Sequence, residues 1–492
     1  GDPVANATIN WSGSNVHLAN ATSLTDTNGR ATNTATVQSA GAASVSASST
    51  TPPAGPVTFA LNGDLATIPG LTPQQAAVAG ALDDACPALS SQESLTPAQQ
   101  DLLAQCQALS TTAGTNPDQA RNAIDQMLPH DTLLQSNASV LVTTAQFDNL
   151  KARMAALRSG AHGAGLGGLA FTSPDGTLPL GRIGDAALGA TADKKPDETG
   201  SDFDRWGFFA SGIFGWGSAD PRQATPGYGF HTNGITAGVD YRFNDSWILG
   251  ASAGYARYSS KVDNIGGGLD TNGWSLSAYT TLYRKSNWYL DGVLTWDSNT
   301  YDIARRIVYT LGSTTVNQTA RSSSGGDTLA GALTFGRDFA KGAWTFGPYF
   351  RGTWSHTSFD SYQETLASGQ AGNGLGLLVQ GRSLNSSSSV LGAKVNYASS
   401  QSWGVLMPHA EVEWEHEFQD NPDSIDARFL ADPTATPFHI DGDPVDTNFF
   451  RLGLGLSFVL PKGRSGFVYY EKTLGITGLT QDNLTLGFRM EF

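Results

Sequence analysis

The stretch that decides the fold is Leu484-Thr485-Leu486-Gly487-Phe488-Arg489-Met490-Glu491-Phe492. Side chains alternate along a strand, so Leu484, Leu486, Phe488, Met490 and Phe492 share one face and Thr485, Gly487, Arg489 and Glu491 the other. An ordinary half-buried strand of a soluble sheet explains this pattern. A strand that crosses a bilayer explains it too, since such strands run for about 9–11 residues, apolar toward lipid and polar toward a lumen. The chain upstream has to decide between them.

From Arg205 onward the same alternation recurs. Trp206, Phe208, Ala210, Gly212, Phe214 and Trp216 form one row, and Trp247, Leu249, Ala251, Ala253 and Tyr255 another. Trp288, Leu290, Gly292, Leu294 and Trp296 repeat it, as do Trp344, Phe346, Pro348, Phe350, Gly352 and Trp354. Aromatics at both ends of an apolar row match the girdles at two membrane interfaces. The opposite faces carry Asp240, Arg242, Asp291, Asp338, Arg351, Lys394, Glu411, Glu413, Glu415, Arg451, Arg489 and Glu491. A soluble barrel would bury that interior and could not leave it charged. The pattern therefore predicts a mainly β chain dominated by a transmembrane antiparallel barrel of twelve strands. They start near residues 205, 230, 246, 271, 287, 326, 343, 387, 403, 447, 465 and 482. Short turns are expected at 244–245, 284–286, 340–342, 399–402 and 461–463. Long loops are expected at 218–229, 258–270, 298–325, 356–386, 419–446 and 475–481. Short periplasmic turns and long external loops are the habit of outer-membrane barrels, and an even strand number leaves both barrel ends on the periplasmic side.

Composition narrows the alternatives. The 492 residues include 57 Gly, 23 Phe, 14 Tyr and 11 Trp, with only 15% charged residues. No run approaches the 18 or more apolar residues of a membrane helix, so only a closed barrel could span lipid. A net charge of −15 argues against nucleic acid as a partner, which calls for a basic face. The sequence opens at Gly1 without Met or signal peptide, as expected of a mature or truncated product whose targeting segment lies upstream.

Three further segments are expected before the barrel, which takes residues 204–492. Residues 1–50 are rich in Thr, Ser, Ala and Asn, with strand-like pieces at 6–11, 31–37 and 43–47 and a turn at Asp26-Thr27-Asn28-Gly29. A disordered Ser/Thr tail is the competing reading. Pro52, Pro53 and Pro56 mark a break, and residues 51–130 turn helical, with starts at Thr72-Pro73, Thr96-Pro97 and Asn116-Pro117. These helices are expected near 73–86, 97–109 and 117–128. Cys86 and Cys106 fall in the first two, as a local disulfide if the compartment is oxidising or else as two buried thiols. A longer helix follows from Asp131 to about Arg158, small and polar in its middle with an apolar stripe of Phe147, Leu150, Met154 and Leu157 near its end, suited to a wet pore or to a soluble surface. Residues 159–203 read as a flexible Gly- and Pro-rich linker.

At this point a resemblance is specific. Trp206-Gly207-Phe208-Phe209-Ala210-Ser211-Gly212, Gly234 to Phe243, Glu413-Trp414-Glu415-His416-Glu417-Phe418 and Gly487 to Phe492 together resemble the translocator domain of autotransporters, type V secretion. Phe147-Asp148-Asn149-Leu150-Lys151 to Leu157-Arg158 resembles that family's pore-traversing helix. Residues 2–11, 25–31 and 41–47 resemble part of a bacterial Ig-like repeat of the intimin/invasin kind, about half of a sandwich of about 100 residues. The resemblance implies an outer-membrane barrel, in contact with lipid and lipopolysaccharide, that carries its own passenger to the cell surface, where an adhesive passenger would meet an unknown ligand. It also implies periplasmic chaperones and the barrel assembly machinery as partners, the latter reading the C-terminal strand through Thr485, Gly487, Met490 and Phe492. Self-cleaving members carry Asn-Asn in the pore helix; Asp148-Asn149 here does not support autocatalytic release.

Catalytic motifs fail on context. Gly250-Ala251-Ser252-Ala253-Gly254 has the letters of a nucleophile elbow but lies within an alternating strand. Gly163-x-Gly165-x-x-Gly168 lacks the strand and helix of a dinucleotide site. Glu411, Glu413, Glu415 and Glu417, with His409, form a luminal column better explained by pairing with Arg and Lys than by a metal or acid–base site. Asp420-Asn421-Pro422-Asp423 is too loosely spaced for a calcium site. No cofactor and no enzymatic activity are expected; a channel plugged by the 131–158 helix, or the anchor of a surface enzyme lying upstream, are the rival readings.

Overall fold

The structure, a computed structural model, describes residues 3–38, 40–50, 53–158, 171–173, 176–178, 205–244, 246–263, 266–284, 287–460 and 464–490. Among them twelve strands close into an antiparallel barrel: β1 (Trp206–Ala219), β2 (Tyr228–Asn244), β3 (Trp247–Val262), β4 (Gly268–Tyr283), β5 (Trp288–Leu311) and β6 (Thr314–Arg337). They continue as β7 (Trp344–Phe359), β8 (Arg382–Tyr397), β9 (Gly404–Glu417), β10 (Asn448–Leu460), β11 (Arg464–Leu474) and β12 (Leu479–Met490). Each strand pairs with its sequence neighbour, and β12 pairs with β1 from Leu479↔Ala219 to Leu486↔Gly212, which closes the ring. The alternation of the sequence is the cause. In β12, Thr485 is buried toward the lumen while Leu486 is exposed outward. Every tryptophan from Trp206 onward is exposed, between 38% and 66%, with the rows ending in aromatics where the membrane interfaces lie. The surroundings of Gly487, the side chains of Phe488, Arg489 and Met490, the residues Glu491 and Phe492, turn residues 245, 285–286 and 461–463, and Gly163 to Gly168 with most of the 159–203 linker fall outside the described residues.

One loop is not a loop. In place of a 298–325 connection, β5 and β6 run 24 residues each and meet at a turn around Gly312, whose φ of 55° suits glycine. Strand β6 accordingly begins at Thr314, not near 326. Pairing is continuous from Trp288↔Arg337 to Leu311↔Thr314. Beyond Asn299 the inward row of β5 turns apolar, Tyr301, Ile303, Ile307, Tyr309 and Leu311, all buried. The hairpin thus stands out of the membrane and needs something to cover it.

The cover is helical. α1 (Pro73–Ser90), α2 (Pro97–Thr115) and α3 (Pro117–Asp125) start where the capping signals put them, with full capping boxes at Thr72/Gln75 and Thr96/Gln99. α1 continues one turn past Cys86 with Pro87 inside it, and α2 reaches Thr115, so both are longer than expected; α3 stops three residues short of 128. Cys86 and Cys106 form a disulfide between α1 and α2, Cα atoms 5.8 Å apart. Leu82, Leu89, Leu102, Leu109, Ile124 and Met127 belong to one buried apolar cluster with Ile303, Ile307 and Tyr309 of the hairpin. The loops 360–381 and 418–447 join that cluster through a four-stranded sheet of Tyr362–Gln363, Leu377–Val379, Ser424–Phe429 and Phe438–Asp441. The helices and these loops form a cap on the outer mouth.

At the N-terminus, Thr22–Leu24, Thr8–Ser14, Gly41–Thr50 and Pro53–Gly63 form a four-stranded sheet, and Val16–Leu18 pairs with Ala35–Val37. Of the proline break expected at residues 52–56, Pro52 lies outside the described residues, and the rest does not end the β part. Pro53 and Pro56 lie in an edge strand, where a missing N–H costs nothing to the ladder, so the β part extends to Gly63.

Candidate functional site in the barrel lumen

α4 (His130–Arg158) passes through the barrel. Its first turn is held at the loop end, where Thr132 bonds Tyr362, and its last residue, Arg158, pairs with Asp291 near the turn end. Its 29 residues measure about 43 Å at 1.5 Å each, enough to run from one mouth to the other. The helix is not centred. It packs along the wall made by β1 to β5, with Leu150, Met154 and Leu157 against Phe209, Ile248 and Tyr279. On its other side a cavity of about 560 Å3 extends from Asp338 and Ala398 at the turn end to Asn421 and Asp446 at the loop end.

Polar side chains fix α4 in the lumen. Thr143 donates to Asp297 at 2.7 Å, Asn149 Nδ2 to Thr236 at 2.9 Å, and Arg153 pairs with Asp240 at 2.7 Å while both are buried. Arg158 also stacks on the Tyr289 ring, 3.8 Å from its centroid. Across the cavity Lys151 reaches Glu413 at 2.9 Å and Glu411 at 3.3 Å. Glu413 is the hub: Arg351 meets it at 2.8 Å, Arg451 at 3.4 Å, and the Tyr349 hydroxyl donates to it. Arg451 also pairs with Glu415 at 2.8 Å, and Lys394 with Asp338 at 3.2 Å.

The structure brings Asp240, Asp291, Arg351, Glu411, Glu413, Glu415 and Arg451 together around α4 and its facing wall. Lys394 sits lower, Arg242 bonds Tyr283, and Arg489 has no described side chain. The sequence reading missed the helix partners Lys151, Arg153 and Arg158; basic residues crowding the end of an otherwise small, polar helix were the available signal. It also missed Arg305, buried in β5. Ser252 of the elbow-like motif lies mid-strand in β3 with no helix following. Among the described residues no cluster of His, Cys, Asp and Glu has the arrangement of a metal site.

The outer mouth has its own polar centre, above the outer aromatic row. Arg305 donates to both Glu364 oxygens at 2.8 and 2.6 Å, and to the carbonyls of Gln126, Met127 and Leu375. Burial pushes the Asp131 carboxyl up to about 7. Burial disfavours the charged His130 ring, yet the bond and charge of Asp125 raise it above the ordinary imidazole value; burial likewise opposes the Asp125 charge, which His130 holds below the usual carboxylate range. The folded state therefore binds the Asp131 and His130 protons more tightly than the unfolded chain does. The Asp131 contribution is full only below the ordinary carboxylate range and falls away as pH rises to about 7; that of His130 is full in mild acid and is lost as pH rises past the ordinary imidazole range; that of Asp125 is lost only on acidification through the carboxylate range. Proteolysis of the cap is expected to be faster near pH 8 than near pH 5.5, with Asp131→Asn flattening the alkaline limb. A rate independent of pH would contradict this placement of charges.

The comparisons agree with this geometry. Residues 208–471, more than half of the chain, match the family model described as the autotransporter beta-domain, and the chain belongs to that family. Its barrel resides in the bacterial outer membrane and serves as the translocator of a passenger. Among curated proteins the chain is 26% identical over 208 residues to an uncharacterized protein in the trpE-trpG intergenic region of Pseudomonas putida, covering 42% of this chain and 33% of that protein. It is 23% identical over 325 residues to Esterase EstA of Pseudomonas aeruginosa, covering 64% and 48% respectively. The chain thus spans between a third and a half of these relatives. Similar solved structures include the translocator domain of NalP from Neisseria meningitidis (16% identity, TM-score 0.44, 63% of this chain and 93% of that one). The beta domain of the Bordetella autotransporter BrkA is another (20%, TM-score 0.42, 59% and 100%).

Proposed function

We propose that this chain anchors a passenger in the outer membrane and displays it at the cell surface, without a catalytic centre of its own. On this reading the N-terminal sheets belong to Ig-like modules and the passenger serves adhesion. The observation that carries it is the path of α4, which leaves the lumen at the mouth with the long loops, so that everything N-terminal of His130 lies on that side. The luminal charges have a mechanical role in it: they seat the helix once the passenger is out. Assembly is assigned to Thr485, Gly487, Met490 and Phe492, read by the barrel assembly machinery after delivery by periplasmic chaperones.

Protease added to intact cells tests the display. Because α1–α3 are packed into the rim, trimming is expected to stop near Gly63 and leave the cap and barrel together, rather than strip the chain back to residue 130. Protection of residues 3–50 in unopened cells would sink the surface reading. A second reading, anchor of a surface enzyme, is favoured by the relatives named as esterases. Hydrolysis of a short-chain nitrophenyl ester by intact cells, dependent on sequence N-terminal to Gly1, would select it over adhesion.

A further inference from the structure

We propose that the cap is a force-bearing clamp: the outer rim of this barrel is a receptor for its own residues 64–129, which take up pull on the displayed N-terminal part before it reaches α4. This rests on the surface-display reading above and adds a mechanical role to it.

The way the chain is tied inside the cap carries the first part of the inference. The segment by which the N-terminal sheet joins the cap is pinned to α1, since Asp83 accepts from the backbone N–H groups of Leu65 and Ala66 at 2.7 and 3.0 Å. Arg121 of α3 donates to the Pro69 carbonyl at 2.6 Å, and Gln75 of α1 to Asp125 at the end of α3 at 2.9 Å. Tension arriving at residue 64 therefore crosses directly from the first helix to the last, next to where α4 begins. The Cys86–Cys106 disulfide makes the 20-residue span between them inextensible.

The rim carries the second part. Every cap helix is bonded to it, and to different elements. Gln74 of α1 donates to the Asp441 carbonyl, and Asp101 of α2 accepts from the N–H groups of Gly372 and Gly374 at 3.0 and 2.7 Å. Tyr309 of β5 bonds Gln105 at 3.0 Å, and Gln119 of α3 donates to the Thr310 carbonyl at 2.7 Å. Arg305 donates to the carbonyls that follow α3, where the negative end of a helix favours a cation, and is itself fixed by Glu364 of the neighbouring loop. Bonds distributed over three helices and three rim elements share a load, whereas bonds broken one after another do not. Beneath them lies the shared apolar cluster, which the outer end of the β5–β6 hairpin, two strands of 24 residues each, completes.

Single-molecule pulling on the full chain in outer-membrane vesicles, held at a tag before Asp2, tests this. The sheet that ends at Gly63 is expected to extend first, by roughly 200 Å at about 3.3–3.6 Å per residue. A separate event at higher force should follow as the cap yields, with α4 still in the lumen. Reduction of the disulfide, or the Cys86→Ser/Cys106→Ser pair, should lengthen that event by about 65–70 Å. Arg305→Met, in barrels verified by heat-modifiable migration, should lower its force by about a third or more and leave the first event unchanged. A cap that yields with or before the N-terminal sheet, an Arg305→Met chain with unaltered force, or extraction of α4 ahead of the cap each overturns the clamp. Antibody binding to the tag on intact cells separately reports display, so a failed clamp and a failed surface reading give different results.

Discussion

Glu413→Gln is expected to destabilise the folded barrel and its seated helix by about 3 kcal/mol, toward the low end of the 3–5 kcal/mol typical of breaking a buried ion pair from one side. Glu413 is only 1% exposed and holds Lys151 of α4, Arg351 of β7 and Arg451 of β10. The glutamine keeps the shape and removes the charge. Arg351 is left without its bidentate partner, while Lys151 keeps Glu411 and Arg451 keeps Glu415. Those second partners, and the water that the adjoining cavity admits to Lys151, are why the upper end of the range is not expected. The midpoint of heat-modifiable migration should fall clearly. Lys151→Met should cost less, since Lys151 is a third exposed, and Arg351→Met on top of Glu413→Gln should cost less than the sum of the two changes, because the cation left alone by the first is gone. Strict additivity would mean that these groups do not act as one network.

Much of this arrangement was legible in the sequence, for one physical reason. A membrane barrel must alternate apolar and polar residues in every strand, so Trp288 to Trp296 or Trp344 to Trp354 announce a strand, its two ends and its lipid face at once. The same rule failed at β5 and β6 because it was applied with its membrane half attached. Tyr301, Ile303, Ile307, Tyr309 and Leu311 alternate like a membrane row interrupted once by Arg305, but they face inward, and their outward neighbours Thr300, Asp302 and Thr310 carry no girdle. Residues that leave the bilayer obey water on the outside and a cap on the inside. The capping boxes at Thr72 and Thr96 were equally readable because they are local, whereas the docking of the helical cap on a hairpin about 180 to 190 positions away depends on Arg305, whose burial no local pattern announces. In the lumen the wall charges were visible by periodicity. Their partners on α4 were not: the apolar stripe of Leu150, Met154 and Leu157 shows which side of the helix packs, but nothing local pairs Lys151, Arg153 and Arg158 with particular wall carboxylates.

Glycine positions facing luminal tyrosines should be intolerant of even one methyl group, and this gives a second large effect. Tyr279 of β4 lies across Gly250 of β3, Tyr289 of β5 across Gly336 of β6, and Tyr349 of β7 across Gly392 of β8, each pair directly opposite in the strand register. A Cβ at any of the three glycines would overlap the ring. Two of the rings cannot move without giving up a hydroxyl bond, since Tyr279 donates to Asp240 at 3.0 Å, the carboxylate that holds Arg153, and the Tyr349 hydroxyl is shared between Glu411 and Glu413; the Tyr289 ring is held under the Arg158 guanidinium. The packing of two adjacent strands is thereby joined to the seating of α4. Overpacking of this kind typically costs about 1–3 kcal/mol per site; Tyr289 and Tyr349 belong to one buried cluster, so Gly250→Ala, Gly336→Ala and Gly392→Ala together should lower stability by more than any single change but by less than their sum. Gly352, in β7 with open space where its Cβ would stand, supplies the control; its change to Ala should stay within about 0.5 kcal/mol. Heat-modifiable migration of the four single variants ranks them. If Gly352→Ala proved as costly as Gly392→Ala, the effect would belong to glycine in strands generally and not to the tyrosine laid over it.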